Sequence, residues 1–144
     1  MTSQQFPHPS SRQDGFKSEG ETQIARLLDR YGIPYRYEPP VAVEDRGKVR
    51  LWYPDFRLSG HGLLIEYAGV QDDPAYETVL RKKQAVYEAN GLTALVWRPD
   101  LFRGDWPTRA LDRIEEALTR RVDTFRAARQ AGQGRLQYPC GRVP

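Results

Sequence analysis

Two spacings of apolar residues alternate along the chain. Ile24, Leu27, Leu28 and Tyr31 recur at helical intervals, directly after Ser18-Glu19-Gly20-Glu21, which has the spacing of a capping box. Gly32 and Pro34 are stop signals, so a first helix is expected from Ser18 to just before them. From Ile33 to Glu44 the period shortens: Tyr35 and Tyr37 alternate, and Pro39-Pro40 marks a bend or an edge position in a strand. Glu44-Asp45-Arg46-Gly47-Lys48 reads as a turn. Leu51 to Leu58 and Leu63 to Gly69 then read as adjacent apolar strands joined by Ser59-Gly60-His61-Gly62. A second helix is expected from about Ala75 to Asn90, stopped by Gly91, and a buried strand from Leu92 to Trp97. Asp105-Trp106-Pro107 opens a last helix, with Leu111, Ile114, Leu118, Val122 and Phe125 on one face. The order is α-β-β-β-α-β-α. Consecutive strands can form an antiparallel meander, and a strand reached through a helix lies parallel to one of them. The expectation is an α/β fold, a small mixed sheet flanked by helices, in one domain over residues 18–129. Residues 1–17 and 130–144 lack periodicity and are expected to be a flexible arm and tail.

The two central strands each carry a carboxylate, Asp55 and Glu66, among large apolar residues. Burying one such charge is costly without a compensating cation or hydrogen bonds, and two side by side also repel. Alternation places Leu64, Glu66 and Ala68 on one face of their strand, with Leu63, Ile65 and Tyr67 on the other. Taken singly, Glu66 is accounted for by an ion pair at a strand end, and Pro54-Asp55 by an ordinary turn. The hairpin is what brings them together. On the second helix Tyr76, Val79, Leu80, Val86 and Tyr87 make an apolar stripe, and Lys83 falls in its middle. Snorkelling past the edge is the plain account of such a lysine. Ala68, small and on the face of Glu66, leaves room for it to reach the carboxylate instead. Glu21 lies on the inner side of the first helix, where the capping box already explains a glutamate. Glu21, Asp55, Glu66 and Lys83 would together put three carboxylates and an ammonium at one sheet edge. Hard oxygen ligands of this kind suit Mg²⁺ or Mn²⁺. A divalent ion with a nearby lysine is the equipment of phosphodiester hydrolysis.

Composition narrows the setting without deciding it. The chain has 144 residues, with 22 basic against 19 acidic side chains for a net charge of +3, which permits a polyanionic partner without demanding one. Its mean hydropathy of −0.72 is that of a polar exterior. The single cysteine, Cys140, excludes an internal disulfide and a cysteine-rich zinc site and suits the reducing cytoplasm. No segment has the length of a membrane span, and residues 1–17 lack a signal peptide's apolar core.

This pattern resembles the PD-(D/E)XK nuclease superfamily, whose core is like that of type II restriction endonucleases. The resemblance rests on Pro54-Asp55, Glu66 and, in the leading helix, Glu21. The wider frame is Gly32-Ile33-Pro34-Tyr35-x-Tyr37-Glu38, Pro54-Asp55-Phe56, Ile65-Glu66-Tyr67-x-Gly69 and Tyr76…Lys83…Tyr87…Gly91. It resembles a branch found alone or fused to DNA helicases, and it spans residues 18–97. The family places a lysine two residues after the acid, where this chain has Ala68; in members with a displaced lysine it stands on the following helix, as Lys83 does. The resemblance implies a Mg²⁺- or Mn²⁺-dependent deoxyribonuclease. Asp55, Glu66, Lys83 and Glu21 would be catalytic, and the three acids would bind the metal. Glu38 and Tyr67 would support them, and Arg57, His61, Arg81 and Lys82 would be candidate DNA contacts. Cutting both strands would call for a homodimer, and sequence preference for a protein partner, since no sequence-reading module is recognised. The alternatives are a catalytically degenerate module that keeps the fold to bind DNA or serve an assembly, and an interaction domain without nucleic acid.

Overall fold

The computed structural model describes residues 15–133, and its first element is the helix that the capping box announces. Helix α1 (Glu19–Arg30) is capped by Ser18, whose Oγ accepts from the Glu21 N–H at 3.2 Å. It buries Ile24, Ala25, Leu27 and Leu28. The described residues divide into two units, one up to Phe102 and one from Arg103. The arm and tail read from composition fall outside the described residues over 1–14 and 134–144. Phe16 and Lys17, grouped with the arm, are tied into the first unit. The Phe16 ring stands edge-on to Tyr37 at 4.8 Å, and the Lys17 N–H donates to Glu21 Oε2 at 2.8 Å.

Five strands occupy the stretch in which three were expected: β1 (Tyr35–Tyr37), β2 (Val41–Asp45), β3 (Lys48–Trp52), β4 (Phe56–Leu58) and β5 (Leu63–Tyr67). Prolines account for the difference. Pro39-Pro40 ends the first expected strand, and Pro54 divides the second, because proline withholds a ladder donor and restrains the residue before it. β2 and β3 pair only with each other, around a turn in which Arg46 and Gly47 both have positive φ, as a tight hairpin requires. The main sheet has the order β1-β4-β5-β6, where β6 is Thr93–Trp97. β1, β4 and β5 are the antiparallel meander, and β6, reached through helix α2 (Pro74–Ala89), lies parallel to β5. The fold is thus α/β on a small mixed sheet, as expected.

Register assigns the two faces of this sheet. Arg36, Arg57, Leu64 and Ala94 form one cross-strand row. Leu64 and Ala94 are buried there with Val41 and Val43 of β2 and Tyr87 of α2, so α2 and the β2–β3 hairpin cover this face. α1 covers the other face: Gly20 lies so close to the Tyr67 ring that a Cβ on it would fall 2.1 Å from Cζ. Tyr35, Tyr37 and Phe56 form an aromatic cluster on the same side. In the second unit, helix α3 (Trp106–Gln133) buries Ala110, Ile114 and Ala117. Val122 and Phe125, expected on the buried face, are exposed at 47% and 68%. No helix among the described residues is long and apolar enough to cross a membrane.

Candidate active site

Extending the β4–β5 register by one pair sets Asp55 directly opposite Glu66, and extending β1–β4 sets Glu38 opposite Asp55. The Glu38 N–H donates to the Asp55 carbonyl at 2.9 Å, and the Tyr67 N–H donates to the Asp55 side chain, at Oδ2, at 2.7 Å, which ties that carboxylate to the strand of Glu66. Directly opposed residues share a face and stand about 5 Å apart. Asp55 and Glu66 therefore flank one another on the face covered by α2, as the hairpin spacing suggested.

Glu66 is buried, 6% exposed, at the end of a strand with neighbours on both sides. Its Oε1 accepts from Lys83 Nζ at 3.0 Å and from the Tyr87 hydroxyl at 3.2 Å. Both donors sit on the helical series Tyr76, Leu80, Lys83, Tyr87, which faces the sheet. Val79, placed on this stripe from the sequence, is 56% exposed. The Tyr87 hydroxyl is held well above its usual range by burial first and then by the Glu66 charge. Tyr76 is pushed up as well, by burial first and then by the charges of Asp55 and Glu66. Both tyrosines fall in the apolar stripe by helical spacing, and the polar tip that each carries beside Lys83 is the signal of a second role.

Asp55 is half-buried. Burial is the main cause that lifts its carboxyl to about 6; the Tyr67 N–H works against this, Glu66 and Glu21 add to it, and Lys83 opposes it. A raised acid beside a second acid marks a place where a cation would be favourable.

Glu21 stands differently from the expectation. Its Oε2 accepts from the Tyr37 hydroxyl at 2.8 Å and from the Lys17 N–H at 2.8 Å, and Tyr37 belongs to the α1 face of the sheet. Its charge also reaches Asp55. Among the described residues no group of three or more His, Cys, Asp or Glu is placed to hold a metal ion. Glu38 adopts a left-handed backbone, φ 44°, and its carboxylate is ion-paired with Lys17. That conformation is uncommon for a residue other than glycine and sits here at the turn from β1 toward Pro39.

The acid pair itself suits a divalent ion. Asp55 Oδ1 and Glu66 Oε2 accept no hydrogen bond from described residues, and Mg²⁺ is commonly held by one or two carboxylates with substrate phosphate completing its shell.

Of the candidate DNA contacts, Arg57 shares the face and strand of Asp55, two residues on. His61 does not approach the pair. It is exposed in the β4–β5 turn, four or more residues along β5 from Glu66, roughly 13 Å at the rise of a strand. Arg81 and Lys82 are exposed on α2 outside the stripe that meets Glu66.

No protein-family model matches the chain, and no curated protein matches it. Among solved structures, the fold is similar to the catalytic domain of the homing endonuclease I-Bth0305I, with a TM-score of 0.46 and 19% identity over 74% of this chain and 96% of that one. A likeness of that degree does not decide the chemistry.

Proposed function

We propose that the protein is a metal-dependent nuclease that hydrolyses DNA phosphodiester bonds, with Asp55 and Glu66 as the residues that hold Mg²⁺ or Mn²⁺. The observation that carries this reading is the pairing of a buried glutamate with a lysine and a tyrosine on one oxygen, opposite a second carboxylate. A structural ion pair needs no second acid in register with it. When bound, the ion would stabilise negative charge on a phosphate and make a water more acidic. The residues' own contributions follow from their contacts. Tyr87 and Lys83 fix the Glu66 carboxylate by occupying Oε1, which leaves Oε2 for a ligand. The Tyr67 N–H does the same for Asp55 through Oδ2. Lys83, 32% exposed through its side chain, keeps donor capacity to stabilise charge developing on a phosphate oxygen or to orient a water. Glu21 contributes through its charge, which opposes ionisation of Asp55 until a cation arrives.

The test is cleavage of supercoiled and linear DNA by the full chain with Mg²⁺ or Mn²⁺. Glu66→Gln and Lys83→Met are expected to lower the rate by roughly 100-fold or more while the proteins stay folded. Undiminished cleavage by either variant would contradict the assignment.

A second reading, a degenerate module that binds DNA without cutting it, is favoured by Ala68 at the position where the resemblance places a lysine. It would be recognised by binding in chelator with no product at any metal concentration.

A further inference from the structure

Arg36 of β1 and Arg57 of β4 are directly opposed in the ladder, so their side chains leave the same face of the sheet. Like charges in directly opposed positions destabilise a sheet, and such pairs usually come with a carboxylate to neutralise them. Here neither guanidinium makes an ion pair or a side-chain hydrogen bond among the described residues. Glu38, which follows β1, is ion-paired with Lys17 and not with either arginine. Arg36 is exposed and Arg57 half-buried, beyond the Leu64–Ala94 patch that α2 and the hairpin cover.

Placement gives the pair a direction. Arg57 and its neighbour across the ladder, Leu64, stand two residues along their strands from Asp55 and Glu66, and Arg36 lies beside Arg57. That is roughly 7 Å at the rise of a strand, on the scale of two base-pair steps along a nucleic-acid helix. A guanidinium presents a planar fork that pairs with phosphate oxygens through two parallel bonds, and two of them side by side suit a polyanionic backbone better than an isolated carboxylate.

We propose that Arg36 and Arg57 form a clamp for a backbone phosphate of a nucleic-acid strand, which sets the register of that strand over Asp55 and Glu66. This rests on reading the same face as the nucleic-acid site, but not on whether the strand is cut.

The test is therefore binding in chelator, where cleavage plays no part. A labelled DNA duplex is titrated with the full chain over a series of salt concentrations. Arg36→Ala and Arg57→Ala are each expected to weaken binding about ten-fold at low salt. Each should also reduce the slope of log affinity against log salt by about 1. Arg57→Lys, which keeps the charge and loses the fork, should retain the slope and lose affinity. Because the opposed charges repel, neither alanine variant should melt below the wild type; binding lost only together with folding would overturn the proposal. So would wild-type slopes in both alanine variants, or a wild-type chain that binds no duplex even at low salt. A chain that binds through these arginines yet never cuts would leave the clamp standing and remove the nuclease reading alone.

Discussion

Asp55 is where charge and burial conflict most openly. In the metal-free protein its folded carboxyl titrates at about 6, against 3.8 for the free side chain. The folded state thus holds the proton more tightly. Stability is fully present below the lower value, falls as pH rises through the window between the two, and stays reduced above it. Asp55→Asn keeps an acceptor for the Tyr67 N–H and removes the charge. It should raise the stability of the metal-free protein at pH 7 by roughly 1–2 kcal/mol, discounted for partial exposure, and change little at pH 3. Urea melts in chelator at the two pH values measure this. At Glu66 the buried charge is met by two donors, Lys83 Nζ and the Tyr87 hydroxyl. Lys83→Met leaves that carboxylate buried with one donor and should cost roughly 1–3 kcal/mol, most of it recovered in the Glu66→Gln/Lys83→Met double variant. A double-mutant cycle by chemical denaturation checks the coupling.

At the level of elements, local chemistry was readable wherever it is decided by neighbours in sequence. Ser18 caps α1 as its spacing announced, Gly91 follows α2 at φ 75°, and the helix crossover makes β6 parallel to β5. What sequence did not reveal were decisions made by distant partners. The β2–β3 hairpin, for one, is held by contacts with α2. Asn90, the C-cap of α2, accepts from the Glu44 N–H at 2.8 Å and donates to the Glu44 carbonyl at 3.0 Å, standing in for a strand beside β2. Asn90→Ala should cost roughly 1–2 kcal/mol and speed hydrogen exchange at the Glu44 amide, while the amides of β5 stay protected. Gly20 is the other packing point. An alanine there gains about 1 kcal/mol of helix propensity, but its Cβ would drive into the Tyr67 ring, and overpacking of that kind costs roughly 1–3 kcal/mol. Gly20→Ala should therefore be no more stable than wild type in thermal melts, and Gly20→Ala/Tyr67→Ala should recover the propensity gain.

For the molecule as a whole, the sheet face decides which residues can act together. Helical periodicity placed Lys83 and Glu21 on inner sides of their helices, but it carries no record of which side of the sheet a helix will cover. Lys83 arrives with α2 on the face of Glu66, and Glu21 arrives with α1 on the other. The arginine row was partly legible in Arg57, whereas Arg36 needed the β1–β4 register. The proposed roles meet on this face, which carries Asp55, Glu66 and the opposed pair Arg36 and Arg57. The most direct measurement is the anomalous difference map of crystals soaked in Mn²⁺. One peak in contact with the carboxylate oxygens of both Asp55 and Glu66 is expected, lost in Glu66→Gln crystals of the same form; no peak there, or one that ignores the two acids, would contradict the assignment of this pair as a metal site.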